Sequence, residues 1–388
     1  MTLRLPTEEI LSIEKLVYGG EGLARLEGKV VLIPYVAPGE TVRAEVERVK
    51  NDLFRGRLLE VLSPAASRVP APCSYFQRCG GCHYQHLDYA TEVQQKVAGL
   101  REVLRRVGKI DFPDDIDAIT AEPWQYRNRV QLHIDRGAIG YFEHGSRRLC
   151  AIESCTVASP ALNQAIAALN SHLPQLGSFS GAVELFTNET EVQINVLDRV
   201  PRAVFSIFES IGASGPIHYQ GFRVSRNSFF QVNRFLIDRL VECAVADHQG
   251  DSALDLYAGV GLFSKALAGR FREVTAVESG HSAFRDLVHN LGDRVSGQNT
   301  TVEEHLAGLQ SRPDLILADP PRAGLTKQVV ADLTRIQAPC LVIVSCDPAT
   351  LARDLQGLVA GGYRIHKTTL VDLFPQTFHL ETVVELRR

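Results

Sequence analysis

Past Arg223 the apolar positions fall into short unbroken runs separated by helical stretches, the alternation that a parallel sheet covered by helices produces. Ala253, Leu254 and Leu256 begin the series, followed by runs at 274–277, Leu315–Ala318, 341–344 and 382–386, each read as a strand. Helices are expected over 234–246, 262–268 and 349–358. Upstream the pattern changes. Short runs rich in β-branched residues, among them 10–17, 29–33, 41–49 and 54–61, are separated by Gly19-Gly20, Glu27-Gly28 and Pro38-Gly39, and a module of five short strands suits an oligonucleotide-binding type β-barrel. Residues 63–72 carry three prolines and read as a linker. Val93, Val97, Leu100, Val103, Leu104 and Val107 recur at three- and four-residue steps, predicting an amphipathic helix over 88–107 with Lys96, Arg101, Arg105 and Arg106 on its other face. Residues 124–223 mix signals, with strands at 130–134, 183–186 and 192–196. Three domains follow: 1–62, an α+β segment over 63–222, and an α/β domain over 223–388.

Composition narrows the class without choosing a function. A chain of 388 residues, 45% hydrophobic and 22% charged, can bury a large core. It has no apolar run near the ~20 residues of a membrane span, and residues 1–11 lack a basic start followed by a hydrophobic block, so a cytoplasmic protein is expected. The net charge of −4 neither requires nor excludes nucleic acid, because Arg43, Arg48, Lys50, Arg55 and Arg57 are candidates for a local basic face. Nothing in the sequence points to an obligate protein partner or an internal repeat.

Eight cysteines are too sparse for a disulfide scaffold, and their clustering suggests metal binding and catalysis. Cys73, Cys79 and Cys82 stand as Cys-x5-Cys-x2-Cys with Gly80-Gly81 inside the last interval, a loop able to fold tightly around an inorganic centre. A fourth ligand is needed, and Cys150 and Cys155 both qualify. Four thiolates suit zinc or a [4Fe-4S] cluster, and His83 or His86 would also complete a zinc site. The spacing is not the Cys-x3-Cys-x2-Cys of radical S-adenosylmethionine (SAM) enzymes.

The strand at 253–256 runs into Gly259 and Gly261, which let the backbone approach a ligand closely. Ser264 stands where a dinucleotide fingerprint wants a third glycine, so a smaller adenosine ligand, SAM, fits better than NAD or FAD. Glu278, at the end of the next strand, is placed to accept ribose hydroxyls. Two later strands also end in chemistry: Asp319-Pro-Pro-Arg322 lies at the carboxyl edge of the sheet, and Cys346 precedes a helix N-terminus, where the dipole favours a thiolate.

Cys73-x5-Cys79-Gly-Gly-Cys82, Phe229-Phe-Gln-Val-Asn233, Asp255-Leu-Tyr-Ala-Gly-Val-Gly261, Asp319-Pro-Pro-Arg-Ala-Gly324, Ser345-Cys-Asp-Pro-Ala-Thr350 and His379-Leu-Glu-Thr382 together resemble the RNA uracil-5 methyltransferase family over nearly the whole chain. The resemblance implies an α/β class I SAM-dependent methyltransferase (Rossmann-like) domain, preceded by a TRAM-like barrel and an α+β iron-sulfur domain. It also implies Cys346 as nucleophile, Glu381 as base, and Gln231, Tyr257, Glu278 and Asp319 as SAM ligands. It favours Cys155 over Cys150 as fourth cysteine, [4Fe-4S] over zinc, and ribosomal RNA over transfer RNA. Leu262 and Asp347 depart from the asparagines that family members often carry there. Two other readings are a SAM-dependent methyltransferase of a small molecule or exocyclic amine, and a non-catalytic RNA-binding module. The first would more often place an aromatic where Arg322 stands, and neither gives the barrel, Cys346 and Glu381 a shared purpose.

Overall fold

The computed structural model describes residues 7–50, 53–111, 115–213 and 215–388, with the side chains of Lys50 and Ala203 also outside the described set. The first six residues of the stretch read for a leader therefore lie outside it. No described helix is long and apolar enough to cross a membrane. The chain forms two compact units.

The first unit holds residues up to Glu102 together with Phe142–Cys150 and Phe374–His379. Its sheet contains β1 (Thr7–Ser12), β2 (Lys15–Leu16), β3 (Glu21–Leu26), β4 (Lys29–Pro34), β5 (Thr41–Lys50) and β6 (Leu53–Ser63), in the order β1-β5-β6-β4-β3-β2. One expected strand, 10–17, is thus two, because the chain changes partners within it. Ile13 donates its N–H to Glu40, beside β5, while Glu14 donates to Leu23 of β3. The sheet's two ends are consecutive in the chain, and its alternate residues Leu11, Ala24, Val31, Ile33, Val42, Ala44 and Val46 fill one core. Gly22 is required there, since a Cβ would meet Val36 Cγ2 at 2.3 Å.

Helix α1 (Tyr89–Arg106) begins in this unit. Lys96 does not share the solvent face expected of it. It is buried, 2.8 Å from Glu92 one turn earlier, and donates to the carbonyl of Phe374 at 3.0 Å, while Glu92 accepts the N–H of Gln376. An amphipathic count cannot distinguish a lysine on the polar face from one buried against an acid four residues away.

After β7 (Asp117–Ile119) comes a five-stranded sheet built from β8 (Arg129–Asp135), β9 (Ala138–Phe142), β10 (Leu149–Ala151), β11 (Gly181–Thr187) and β12 (Val192–Val196), with α2 (Pro160–His172) and α3 (Arg202–Ile211); apart from Phe142, Leu149 and Cys150, these elements belong to the second unit. A hairpin, β13 (Ile217–Tyr219) and β14 (Phe222–Val224), leads into α4 (Ile237–Val245). Then come β15 (Gly250–Leu256), α5 (Leu262–Leu267), β16 (Phe271–Val277), α6 (His281–Leu291), β17 (Ser296–Gln298), α7 (Val302–Gly308), β18 (Leu315–Ala318), α8 (Lys327–Ile336), β19 (Cys340–Ser345), α9 (Pro348–Ala360), β20 (Arg364–Val371) and β21 (Glu381–Arg387).

These strands order as β17-β16-β15-β18-β19-β21-β20-β7. Strands β15 to β19 pair in parallel, whereas β21 is inserted antiparallel between β19 and β20. This is the Rossmann-like α/β architecture expected from the alternation past Arg223. The order reverses between β15 and β18, which opens a ligand crevice at the carboxyl ends of those strands. Because β21 runs the other way, its first residue, Glu381, arrives at the same edge where β19 ends.

Candidate active site

The turn after β15 is built for close approach. Tyr257, Gly259 and Gly261 all have positive φ, at 60°, 56° and 92°. A Cβ on Gly259 would meet nothing within 4 Å, so that glycine serves backbone conformation and ligand access; one on Gly261 would strike Leu291 Cδ1 at 2.7 Å, so that glycine serves packing. Glu278, just past β16, accepts the Gly259 N–H on one oxygen at 2.9 Å and the Gly280 N–H on the other at 2.6 Å. Each oxygen keeps a lone pair, so the clamped carboxylate fits a ribose diol.

Ser264, in place of the third glycine, donates to the carboxyl of Asp255, which is fully buried. Burial pushes Asp255 up to about 7, and its Oδ1 has no hydrogen-bond partner among the described residues. Next along the edge is Asp319, whose Oδ2 accepts from Gln231 Nε2 at 3.4 Å. Desolvation, then Asp255, raises Asp319 to about 7 as well. Gln231 is positioned through its backbone, as its carbonyl accepts from Asn128 Nδ2 at 3.0 Å. Sequence reading assigns no site role to Asp255, Ser264 or Asn128, although Asp255 opens the glycine-turn motif and is an acid within an otherwise apolar strand end.

Ser345 pairs with Thr382 and Val371 with Glu381, which sets Cys346 and Glu381 side by side at the sheet edge. Glu381 is 4% exposed, and burial reinforced by Asp319 holds its carboxyl well above the ordinary range. Burial, Glu381 and Asp319 push the Cys346 thiol up to about 12. The thiolate expected from a helix N-terminus is therefore not favoured in the unliganded site. Asp347, the N-cap of α9, accepts the N–H groups of Ala349 and Thr350, both at 3.0 Å, so those helix donors are already engaged. Arg322 reaches Asp347 Oδ2 at 3.5 Å and acts weakly to lower the thiol. The buried acids Asp255 and Glu381, with the half-buried Asp319 beside the thiol, favour a positively charged ligand, and the sulfonium of SAM meets that requirement.

The cysteine loop lies in the first unit. The Cys73 N–H donates to Gln85 Oε1 at 3.3 Å, and Cys79 Sγ accepts the Gly81 N–H at 3.4 Å, a donor placed as a cluster thiolate would use it. All three thiols are half-buried in backbone free of helix or long strand. Cys150 differs: it is buried, and its sulfur accepts from Arg78 Nε at 3.3 Å. Cys155 belongs to the second unit, in the turn before α2, its N–H and carbonyl both bonded to Asn163. His83 packs edge-on against Phe378 and His86 stacks on Phe76, and burial holds them down to about 3 and about 4. In the barrel, exposed Arg43 and Arg57 lie 3.3 and 2.8 Å from Glu60 and Glu45.

The TRAM domain family matches residues 8–59, and the family described as tRNA (Uracil-5-)-methyltransferase matches residues 306–388. An uncharacterized RNA methyltransferase of Aquifex aeolicus is 31% identical, over 97% of this chain and 97% of that protein. The 23S rRNA (uracil(1939)-C(5))-methyltransferase RlmD of Chromohalobacter salexigens is 33% identical, over 98% of this chain and 90% of its own. Among solved structures, the Pyrococcus abyssi tRNA (uracil-54, C5)-methyltransferase bound to S-adenosyl-L-homocysteine aligns with a TM-score of 0.74 at 25% identity, covering 98% of this chain and 100% of its own.

Proposed function

Because this chain belongs to the RNA uracil-5 methyltransferase family, we propose that it makes 5-methyluridine at one uridine of 23S rRNA, with Cys346 as nucleophile and Glu381 as base. The observation that carries this reading is the Ser345–Thr382 pairing, which brings a thiol and a buried carboxyl to one edge beside Gln231 and Asp319.

Uracil C5 is a poor nucleophile, and the sulfur of Cys346 activates it by bonding to C6, which shifts electron density to C5 and the C4 carbonyl. Gln231, Tyr257, Glu278 and Asp319 would hold SAM, which would supply the methyl group that C5 takes. Glu381 then removes the surplus C5 proton, the C5–C6 double bond re-forms, and the Cys346 sulfur leaves. For these steps the thiol must lose its proton, and a cationic ligand beside Asp319 offsets the negative field that opposes this. The target base must be flipped out or single-stranded to reach the thiol.

Division of labour follows the three stretches of sequence. Residues 1–62 hold RNA, 63–222 carry a [4Fe-4S] cluster on Cys73, Cys79, Cys82 and Cys155, and 223–388 perform the transfer. The cluster supports folding or RNA placement, since no redox step is needed. Acting on rRNA places the protein in the cytoplasm. Mass-spectrometric mapping of RNA from cells lacking the gene tests the target: loss of one 5-methyluridine in 23S rRNA supports it, and loss of a tRNA site, as for the Pyrococcus relative, assigns the other substrate.

A further inference from the structure

A second cluster of chemistry-bearing side chains lies at the far end of the catalytic sheet. Cys340 opens β19, whose other end leads to Cys346 roughly 20 Å away. Cys340 pairs with Arg387 and Val342 with Glu385, so Cys340 and Glu385 share one face of the sheet. His248, in the loop after α4, sits between them. Its Nδ1 is 3.8 Å from Cys340 Sγ and its Nε2 is 3.9 Å from Glu385 Oε2. One ring nitrogen, the sulfur and one carboxylate oxygen all lie within 4.8 Å of one another.

The nitrogen–oxygen separation is too long for a hydrogen bond, and the sulfur–nitrogen contact is at best a weak one. The two contacts use different ring nitrogens, of which one ion takes only one. With a single nitrogen the three donor atoms lie within 4.8 Å of one another, and side-chain rotation brings them to the ~3.4–3.6 Å between donors that share a tetrahedral ion. We propose that His248, Cys340 and Glu385 bind one divalent transition-metal ion, zinc by preference, as a structural brace between the strands that carry Cys346 and Glu381. Imidazole, thiol and carboxylate together are a donor set for a borderline-soft ion, and alkaline-earth ions would prefer oxygen alone. Burial disfavours the charged imidazole, leaving it able to coordinate, while burial and then Glu385 hold the thiol proton until a metal displaces it. Arg387 takes only Glu385 Oε1, at 2.6 Å, leaving Oε2 to the site; its charge and that of Arg270 weaken the affinity without occupying the donors.

Cobalt(II) titration of the full-length, cluster-loaded protein under anaerobic conditions tests this. Thiolate-to-cobalt absorption is expected, displaced by zinc, unchanged in Cys346→Ser, lost in Cys340→Ser, and shifted to more than about a hundredfold higher cobalt in His248→Ala. Zinc should likewise raise the Tm of the unmutated protein and not that of Cys340→Ser. Absence of the absorption, or its persistence at equal affinity in a folded Cys340→Ser or His248→Ala protein, overturns the assignment.

Discussion

Glu381 opens the strand whose next residue, Thr382, pairs with Ser345, so its buried carboxyl acts directly on the thiol of Cys346. Burial raises both groups; Asp319 adds to each, and Glu381 adds to the thiol. A nucleophile and a base held this way stay protonated until substrate and cofactor change the field around them, and that sets the expectations below.

Cys346→Ala should lower methylation about 10⁴-fold or more, because in the proposed mechanism the thiol activates C5. Equilibrium SAM binding should survive, since Gln231 and Asp319 contact each other and Glu278 is clamped by two backbone amides, independently of the thiol. Isothermal titration with SAM alongside methyl-transfer assays checks both halves.

The buried acids should make the unliganded protein less stable at alkaline pH. Asp255 rises from 3.8 to about 7 on folding, so the folded state holds its proton where the unfolded chain has lost it. The stability this contributes is present below about pH 4 and lost as pH rises through about 7, on the order of 4 kcal/mol at most. Asp255→Asn keeps an acceptor for Ser264 and removes the titration. Urea unfolding between about pH 5 and about pH 8 should show a steeper loss in the unmutated protein than in the variant.

Protein purified without air should be brown. Cys155→Ala should lose iron and sulfide, whereas Cys150→Ala should keep them, because Cys150 is buried against Arg78 and is committed to that contact. Metal analysis with visible absorbance decides, and zinc in colourless protein would refute the cluster.

The elements that carry chemistry were legible because each rests on a local signal. Apolar runs bounded by Gly259-Val-Gly261, Asp319-Pro-Pro and Ser345-Cys346 mark strand ends, and strand ends are where an α/β sheet places ligands. What the sequence could not give depends on partners distant in the chain. The split at Ile13 follows from bonds to Glu40 and Leu23, the burial of Lys96 from a carbonyl at Phe374, and the addition of β7 alongside β20 from a pairing some 250 residues apart, Ile119 with Val371. The thiol of Cys346 was misjudged for a related reason. A helix N-terminus was visible, but its use by Asp347 and the nearness of Glu381 from another strand were not.

The most direct test of the covalent mechanism is where the reaction stops in Glu381→Gln. Cys346 can still bond to C6 and the methyl group can still move, since neither step needs that carboxylate to take a proton; release of the sulfur needs it. A methylated RNA–protein adduct should therefore accumulate and migrate as a slow band on a denaturing gel, and the Cys346→Ala/Glu381→Gln double variant should show none. Release of methylated RNA by Glu381→Gln at the unmutated rate, with no trapped adduct, would contradict the account.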